Sequence, residues 1–600
     1  MALLFFSRRI IAGTRSEIHS RIQNGYKKYY ASGSETDHLD KDQVQNDEIK
    51  LVAAHVGSGY CRAALVSIKG ELVKLAAMPY KVFHQGVFSE ASSESIWNTL
   101  VKCIEKVTDQ ENLDKIRGIG FIAIPALVCL DANRNPLTAS ASRDPNINVI
   151  FHYDTRSSLE ADKVNATHHA LLKYFGERVL HGLEESKLMW LKNNLKEDCW
   201  DQVGHFFELT DFLTWKATGS FVRSSGTLIA QWTYEIAVNG NEGWNAQFME
   251  KIGIPEMAED NFRKIGSVVQ RPGTPIADGL LEKVAKEMGL PDKLPVASGI
   301  PDGLAGCLGL IGCKVENIAD DITNRMCIVF GTRAASHFVL SRDPYFVKGV
   351  NGPFRDSVFP NMWLNHAGQT TAESALEYII TAHPATPEMT KQIGHMSVYT
   401  YLNKILKIKA QKKKLSATSF LTKDIHVIPD FDGNKSPLSD PSIRGMISGL
   451  SLTTSLESLA YLYLATIQSL AYSTRHIMSG LAQQGHEIKC ILIGGDLGQN
   501  SLFANLQKDV CQMPIVSPQE PRSKLIGAAI LAAVASKTFP DFRHASREMC
   551  GMGQVVLPTT NADEISYHER KYQVFLKMYD HQLQYRKIMS GGIENSNCKI

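Results

Sequence analysis

Asp302 is the residue on which a catalytic reading can be built. It follows Pro301 and opens a run of small and apolar residues in ASGIPDGLAGCLGLIG, Ala297–Gly312. A proline just ahead of an acid and a helix-length apolar run marks a helix start. The carboxylate then lies at the N-terminal end, where it either caps orphan amides or serves as a general base at the mouth of a cleft. Gly303, Ala305, Gly306 and Gly309 let that helix pack backbone-close to a neighbour. A second candidate is Gly57-Ser58-Gly59. A glycine hairpin can hold phosphate on successive backbone amides, or can simply be a tight turn. It is not a dinucleotide loop, because a strand and not a helix follows it. Gly331-Thr332-Arg333 is a similar turn, and Gly494-Gly495 lets backbone approach something closely. Asp154 and Arg156 end a strand two residues apart and so share a face.

The elements that hold these residues follow from periodicity. Leu51–His55, Arg62–Ile68 and Glu71–Met78 are three short strands separated by glycine turns. Ser93–Thr108 carries Ile96, Leu100, Ile104 and Val107 at helical spacing, and Ile116–Phe121 and Leu127–Leu130 are the next strands. This opening is that of an α/β domain with a mixed sheet. Ile276–Met288 reads as a helix. Strand, glycine turn and strand recur at Met326–Phe330, Gly331-Thr332-Arg333 and His337–Leu340, which points to two related domains facing each other. Thr454-Ser455-Leu456-Glu457 reads as a capping box opening a long helix. Ile488–Ile493 is a buried strand, and Asn500 or Ser501 caps the helix that follows. Leu525–Ala535 is a helix of small residues able to lie under a flat ligand. Gln411–Leu415 reads as a solvated loop, and Glu569–Ile588 as a terminal helix docked on the body.

A chain of 600 residues calls for two or more domains, and a net charge of +2 argues against a dedicated nucleic-acid surface. The longest apolar run, Leu525–Ser536, is too short to span a bilayer. The 11 cysteines form no CxxC pair, which fits a reduced interior compartment. Met1–Gly33 sets Arg8, Arg9, Arg15, Arg21, Lys27 and Lys28 against one acid, Glu17. That is the composition of a mitochondrial presequence, or of a basic tail on a cytoplasmic protein, and a polar linker over 34–50 follows it.

Four segments carry a resemblance. GHFFELTDFLTWKATGS at Gly204–Ser220, the Asp302 stretch, HVIPDFDGNKSPLSDPSIRGMISGL at His426–Leu450 and IGGDLGQNSLFANL at Ile493–Leu506 resemble the FGGY carbohydrate kinases, in their ribulokinase-like branch. The resemblance extends over about Leu51 to Ile588. It implies an α/β fold of two ribonuclease-H-like (actin-like ATPase) domains with an interdomain cleft. The expected division is 1–50 as N-terminal segment, 51–315 as sugar-side domain, 316–545 as nucleotide-side domain and 546–600 as tail. It implies ATP and Mg²⁺ as cofactors and a small sugar as substrate, without nucleic-acid or membrane partners and compatibly with a homo-oligomer. Residue by residue, Asp302 matches the family's catalytic aspartate. Gly57, Ser58 and Gly59 match its first phosphate loop, and Gly331 and Thr332 its second. Gly494, Gly495 and Asn500 match the adenosine segment, and Asp154 an acid on the sugar side. Gln231, His366 and Gln369 fall at sugar-binding positions, and no dedicated protein metal site is expected.

The departures fall in the site. His55 stands where the first phosphate loop of the family begins with a metal-organising Asp. Gly120-Phe121-Ile122-Ala123 stands where GFDA is usual. Gln231 replaces a Lys before Trp-Thr-Tyr, His366 replaces a Glu before Ala367-Gly368-Gln369, and Arg333 replaces a small hydroxyl residue. Arg333 reads as a neutraliser of phosphate charge or as a surface arginine. His55 and His366 read more simply as replaced carboxylates than as a metal pair. The leading expectation is a sugar kinase acting on a pentulose-like hydroxyl. The alternative is a catalytically impaired pseudokinase that binds nucleotide, sugar or partners. A non-sugar actin-like ATPase is disfavoured, because the specific segments are those of sugar kinases.

Overall fold

The computed structural model describes residues 48–238, 241–316, 318 and 320–591. The presequence-like stretch Met1–Gly33 lies outside them. Two sheets organise the chain. In the first, β1 (Lys50–Gly57), β2 (Tyr60–Ser67), β3 (Leu72–Pro79), β4 (Ile116–Ala123) and β5 (Val296–Pro301) stand in the order β5-β4-β1-β2-β3. β1 runs antiparallel to β2 and parallel to β4, and β5 runs parallel to β4. Pro301 closes β5, and α1 (Asp302–Ile311) starts at once.

The second sheet repeats this plan. It contains β6 (Arg325–Phe330), β7 (Ala335–Ser341), β8 (Asn351–Arg355), β9 (Trp363–Gln369), β10 (Cys490–Gly494) and β11 (Ile515–Pro518), followed by α2 (Ser523–Ala535) and then β12 (Gly553–Val556). Its order is β8-β9-β7-β6-β10-β11-β12. The run β11-β10-β6-β7-β9 has the same parallel and antiparallel relations as β5-β4-β1-β2-β3. The recurring strand–turn–strand of the sequence is therefore a repeat of a whole half. α1 after β5 and α2 after β11 are equivalent helices of the two halves.

Those helices cross at the centre of the molecule, each packing against the other half's sheet. The crossing is possible because both carry glycine there. A Cβ on Gly309 would lie 2.0 Å from the Ser523 carbonyl oxygen, and one on Gly527 would lie 1.9 Å from that of Ala305. On the far side, a Cβ on Gly120 of β4 would meet the Ala528 carbonyl oxygen at 2.1 Å. Leu525, Ile530 and Leu531 of α2 are buried, each contributing about 1.5–3 kcal/mol through removal from water. The sequence reading of α2 as a platform beneath a flat ligand is corrected. Its small residues serve contact with α1 and the first sheet.

Other expectations shift in detail. The Ile276–Met288 helix is confined to Glu282–Met288, since Pro275 and Gly279 disfavour helix before it. The long helix, Leu456–Gln483, is capped by Ser455, whose hydroxyl accepts from the Ser458 amide. The expected Thr454–Glu457 box is not formed, because Glu457 pairs with Lys409 and Tyr461. Gln411 and Lys412 close the helix Val398–Lys412, so the solvated stretch starts only after them. The terminal helix is Ala562–Met589. No helix among the described residues is long and apolar enough to cross a membrane.

Candidate functional site

The crossing of α1 and α2 sets the geometry at Asp302. Asp302 precedes Gly306 by one turn and Lys524 precedes Gly527 by one turn, so the two side chains flank the crossing. Lys524 donates from Nζ to Asp302 Oδ2 at 2.5 Å. The pair is largely shielded, with 12% of the Asp302 side chain and 20% of the Lys524 side chain exposed. Asp302 is the first helical residue and makes no capping bond, so the capping role expected from the sequence is not filled. Burial pushes its carboxyl upward, but the Lys524 charge and the His55 and Lys524 contacts outweigh this and hold it well below the usual carboxylate range. Lys524 is lowered by burial, but the attractions of Asp302 and Tyr60 together outweigh this and leave it above the ordinary lysine value.

His55 completes the group. It pairs in register with Ile122 of β4 and is fully buried, with Nε2 3.4 Å from Asp302 Oδ2 and Nδ1 without a partner among the described residues. Burial lowers its pKa to about 4, so it is neutral at pH 7. Ile122 is buried in the apolar core. Both contacts to Asp302 fall on Oδ2. Oδ1 has no protein hydrogen bond among the described residues.

The turns close around this centre. Gly57-Ser58-Gly59 joins β1 to β2, and Gly59 takes φ +88°, which favours glycine. Ser58 Oγ lies 3.0 Å from the Tyr153 hydroxyl. The Tyr60 ring lies over Gly57, where an added Cβ would meet it at 2.3 Å. Gly331 and Thr332 sit in the turn after β6, and Arg333 reaches Asp432 at 3.6 Å while lying 5.2 Å from the centre of the Tyr153 ring. Gly494 ends β10 against Ser523 Oγ, and Gly495, at φ +100°, backs onto the Phe330 carbonyl oxygen. Asn500 caps the next helix through the Leu502 amide and donates to the Tyr463 hydroxyl.

On the sugar side the structure separates available groups from committed ones. Asp154 is committed. Oδ1 accepts from Arg156 N and Nε, and Oδ2 accepts from Ser89 N and Arg156 Nη2. Arg156 also donates to Glu90 at 2.6 Å. Every lone pair of Asp154 is used, so the sugar-ligand expectation is corrected to a scaffold role. The Asp–Arg pairing itself arises in the turn after the strand Val149–Phe151, not on its face. Gln369 is likewise engaged, donating to the Leu470 carbonyl and Thr474 Oγ1. Gln231 ends the short helix Ser225–Gln231 and is half-buried.

His366 is free in a different sense. Its ring stacks on Phe338 at 4.6 Å, Nε2 is buried without a partner, and burial beside Lys435 holds it neutral. Sequence reasoning passed over three residues of the site. Lys435 lies across Gly368, where a Cβ would come within 2.8 Å of its Cδ, and burial lowers its pKa to about 8. His152, lowered by burial to about 3, leaves Nδ1 unpartnered. Lys524 had a signal: a lysine in the first turn of an otherwise apolar helix, where the dipole disfavours cations.

A Mg²⁺ site tests poorly on these residues. Mg²⁺ takes oxygen ligands in octahedral geometry. The one carboxylate at the centre has an ammonium on Oδ2 and an imidazole beside it. Among the described residues no three His, Cys, Asp or Glu side chains cluster to hold an ion.

Comparison with known proteins places this geometry. The N-terminal domain of the FGGY family of carbohydrate kinases matches residues 51–309, and its C-terminal domain matches 326–536. An FGGY carbohydrate kinase domain-containing protein of Homo sapiens is 39% identical over 91% of this chain and 99% of its own. A D-ribulokinase of Saccharomyces cerevisiae is 32% identical over 89% of this chain and 78% of its own. Among solved structures, a xylulose kinase from Brucella ovis superposes with a TM-score of 0.70 at 19% identity, covering 89% of this chain and all of that one. Two repeated halves, each of the actin-like ATPase fold, meet at crossed helices that carry Asp302 and Lys524 in their first turns, and this chain belongs to the FGGY family of carbohydrate kinases.

Proposed function

We propose that this kinase phosphorylates a pentulose of the ribulose type, with Asp302 as the base and ATP as donor. One observation carries the base assignment. Asp302 is held ionised at the helix crossing with Oδ1 unengaged by protein among the described residues. Phosphoryl transfer asks for positioning and charge neutralisation more than for a strong base, and a carboxylate of low pKa is adequate. The sugar hydroxyl gives its proton to Oδ1 while its oxygen takes the γ-phosphoryl group. The hairpin at Gly57–Gly59 and the turn from Thr332 present backbone amides to the phosphates, the Gly331 amide itself being bonded to the Ala334 carbonyl oxygen. Gly494, Gly495 and Asn500 line the adenosine side.

The ribulose assignment draws support from the yeast relative named a D-ribulokinase. His366, His152, Lys435 and Gln231 supply neutral and cationic donors for hydroxyl and carbonyl oxygens. The chain should turn over one or a few pentuloses when a panel of pentuloses, pentitols and glycerol is offered with ATP and ADP release is followed. Turnover confined to glycerol or to no polyol would contradict the assignment.

A second reading, that the site binds but turns over poorly, has its own observation. The Tyr60 ring covers Gly57 of the first phosphate hairpin. If it governs, Tyr60→Ser raises turnover with the same substrate; an unchanged or lower rate removes this reading.

A further inference from the structure

Lys524 stands against the polarity of its own helix. It is the second residue of α2, among Leu525, Ile526, Gly527 and Ala528, at an end where the dipole attracts anions and repels cations. Its stem is guided by two glycines. A Cβ on Gly306 of α1 would lie 3.3 Å from Lys524 Cγ, and one on Gly331 would lie 3.9 Å from Nζ. The ammonium is thereby held between Asp302 and the Gly331 turn after β6. An independent feature marks the same point. His55, fully buried with Nδ1 unpartnered among the described residues, directs Nε2 at the same oxygen, Asp302 Oδ2, from 3.4 Å. Arg62 acts on both His55 and Lys524. The centre thus holds one carboxylate among cations and two helix N-termini, a field that favours a further anion.

We propose that the Lys524 ammonium is the protein's own cation for the transferred phosphoryl group. In the free protein it neutralises Asp302. When ATP binds, it redirects its hydrogen bonds to the γ-phosphate oxygens, which the nearby Gly331 turn presents. A side chain would then supply charge that an acid at position 55 would otherwise bring through a metal. In the transfer, the sugar O–H bond breaks with its proton passing to Asp302, and the sugar O–P bond forms. The bond from the γ-phosphorus to the bridging oxygen breaks with its electron pair leaving on ADP. Lys524 keeps its proton throughout. The proposal rests on the kinase reading of Asp302.

The test is calorimetric affinity for ATP and for ADP in the presence of a chelator, for the wild-type chain, Lys524→Met and Lys524→Arg. Loss of a charge-assisted hydrogen bond should weaken metal-free ATP roughly 10- to 100-fold in Lys524→Met, with ADP affinity near wild type. Lys524→Arg, which keeps the charge, should retain ATP binding, separating lost charge from misfolding. In steady state, kcat of Lys524→Met should fall about 10²–10³-fold with the sugar KM little changed. An unaltered ratio of ATP to ADP affinity in Lys524→Met, with ATP still bound by wild type, would overturn the proposal alone. Failure of the wild-type chain to bind either nucleotide would instead remove the kinase reading beneath it.

Discussion

At the scale of single residues, the site is defined by what each polar atom is already doing. Asp154 lies on the sugar side of the sequence resemblance, yet Arg156 and Ser89 N take all its lone pairs. Asp154→Ala would leave Arg156 paired with Glu90 but strip the acceptors from Arg156 N, Arg156 Nε and Ser89 N. The expected result is a loss of about 1–3 kcal/mol in urea unfolding, the usual cost of leaving buried donors unsatisfied; an unchanged midpoint would contradict the scaffold role. His337 is a second test. It lies buried in β7 with Nε2 3.3 Å from Thr474 Oγ1, and burial lowers its pKa from 6.5 to about 3. The unfolded chain therefore binds a proton that the native one refuses, and stability falls as pH drops below 6.5 toward 3. His337→Gln should remove about 2 kcal/mol of the stability lost between about pH 7.5 and pH 5. Equal pH dependence in both proteins would show that this histidine is not held neutral.

At the scale of elements, the account depends on two glycine-bearing helices crossing at backbone contact. Gly527→Ala would drive a methyl group into the Ala305 carbonyl oxygen, 1.9 Å away, with no side chain able to yield. A loss of about 1–3 kcal/mol is expected from overpacking. Because Asp302 and Lys524 flank the same crossing, kcat should fall along with stability; full activity at reduced stability would separate crossing from site. Much of this level was legible in the sequence. The small residues behind Asp302 announced a close helix contact, and Ser93–Thr108 was readable to its ends because its apolar spacing is regular. The partner of that contact was not legible. α2 lies 222 positions beyond Asp302 at Lys524, and a run of small residues does not say which surface it touches. For the same reason Lys524 was passed over, although its place in an apolar first turn was visible. Asp154 misled because a motif reports residue type and not whether its lone pairs are spent.

At the scale of the whole molecule, duplication explains why the candidate site is where it is. Each half supplies a mixed sheet, a glycine turn after its first strand and a helix after its last parallel strand. Facing the halves brings the turns at Gly57–Gly59 and Gly331–Thr332 together with the leading ends of α1 and α2. The basic segment Met1–Gly33 lies outside the described residues. We propose that it directs the chain to mitochondria, in which case a reporter carrying those residues should localise there; a diffuse cytoplasmic reporter would contradict this.

The claim that binds these scales together is that Asp302 accepts the sugar's proton, and the most direct measurement is turnover of Asp302→Asn beside its nucleotide affinity. The substitution keeps the shape of the side chain and removes the charge that Lys524 offsets. We expect kcat for the preferred pentulose to fall about 10²–10⁴-fold, with ATP affinity kept or strengthened as Lys524 is released to the phosphate. A variant that turns over the pentulose at the wild-type rate would contradict the assignment of Asp302 as the base.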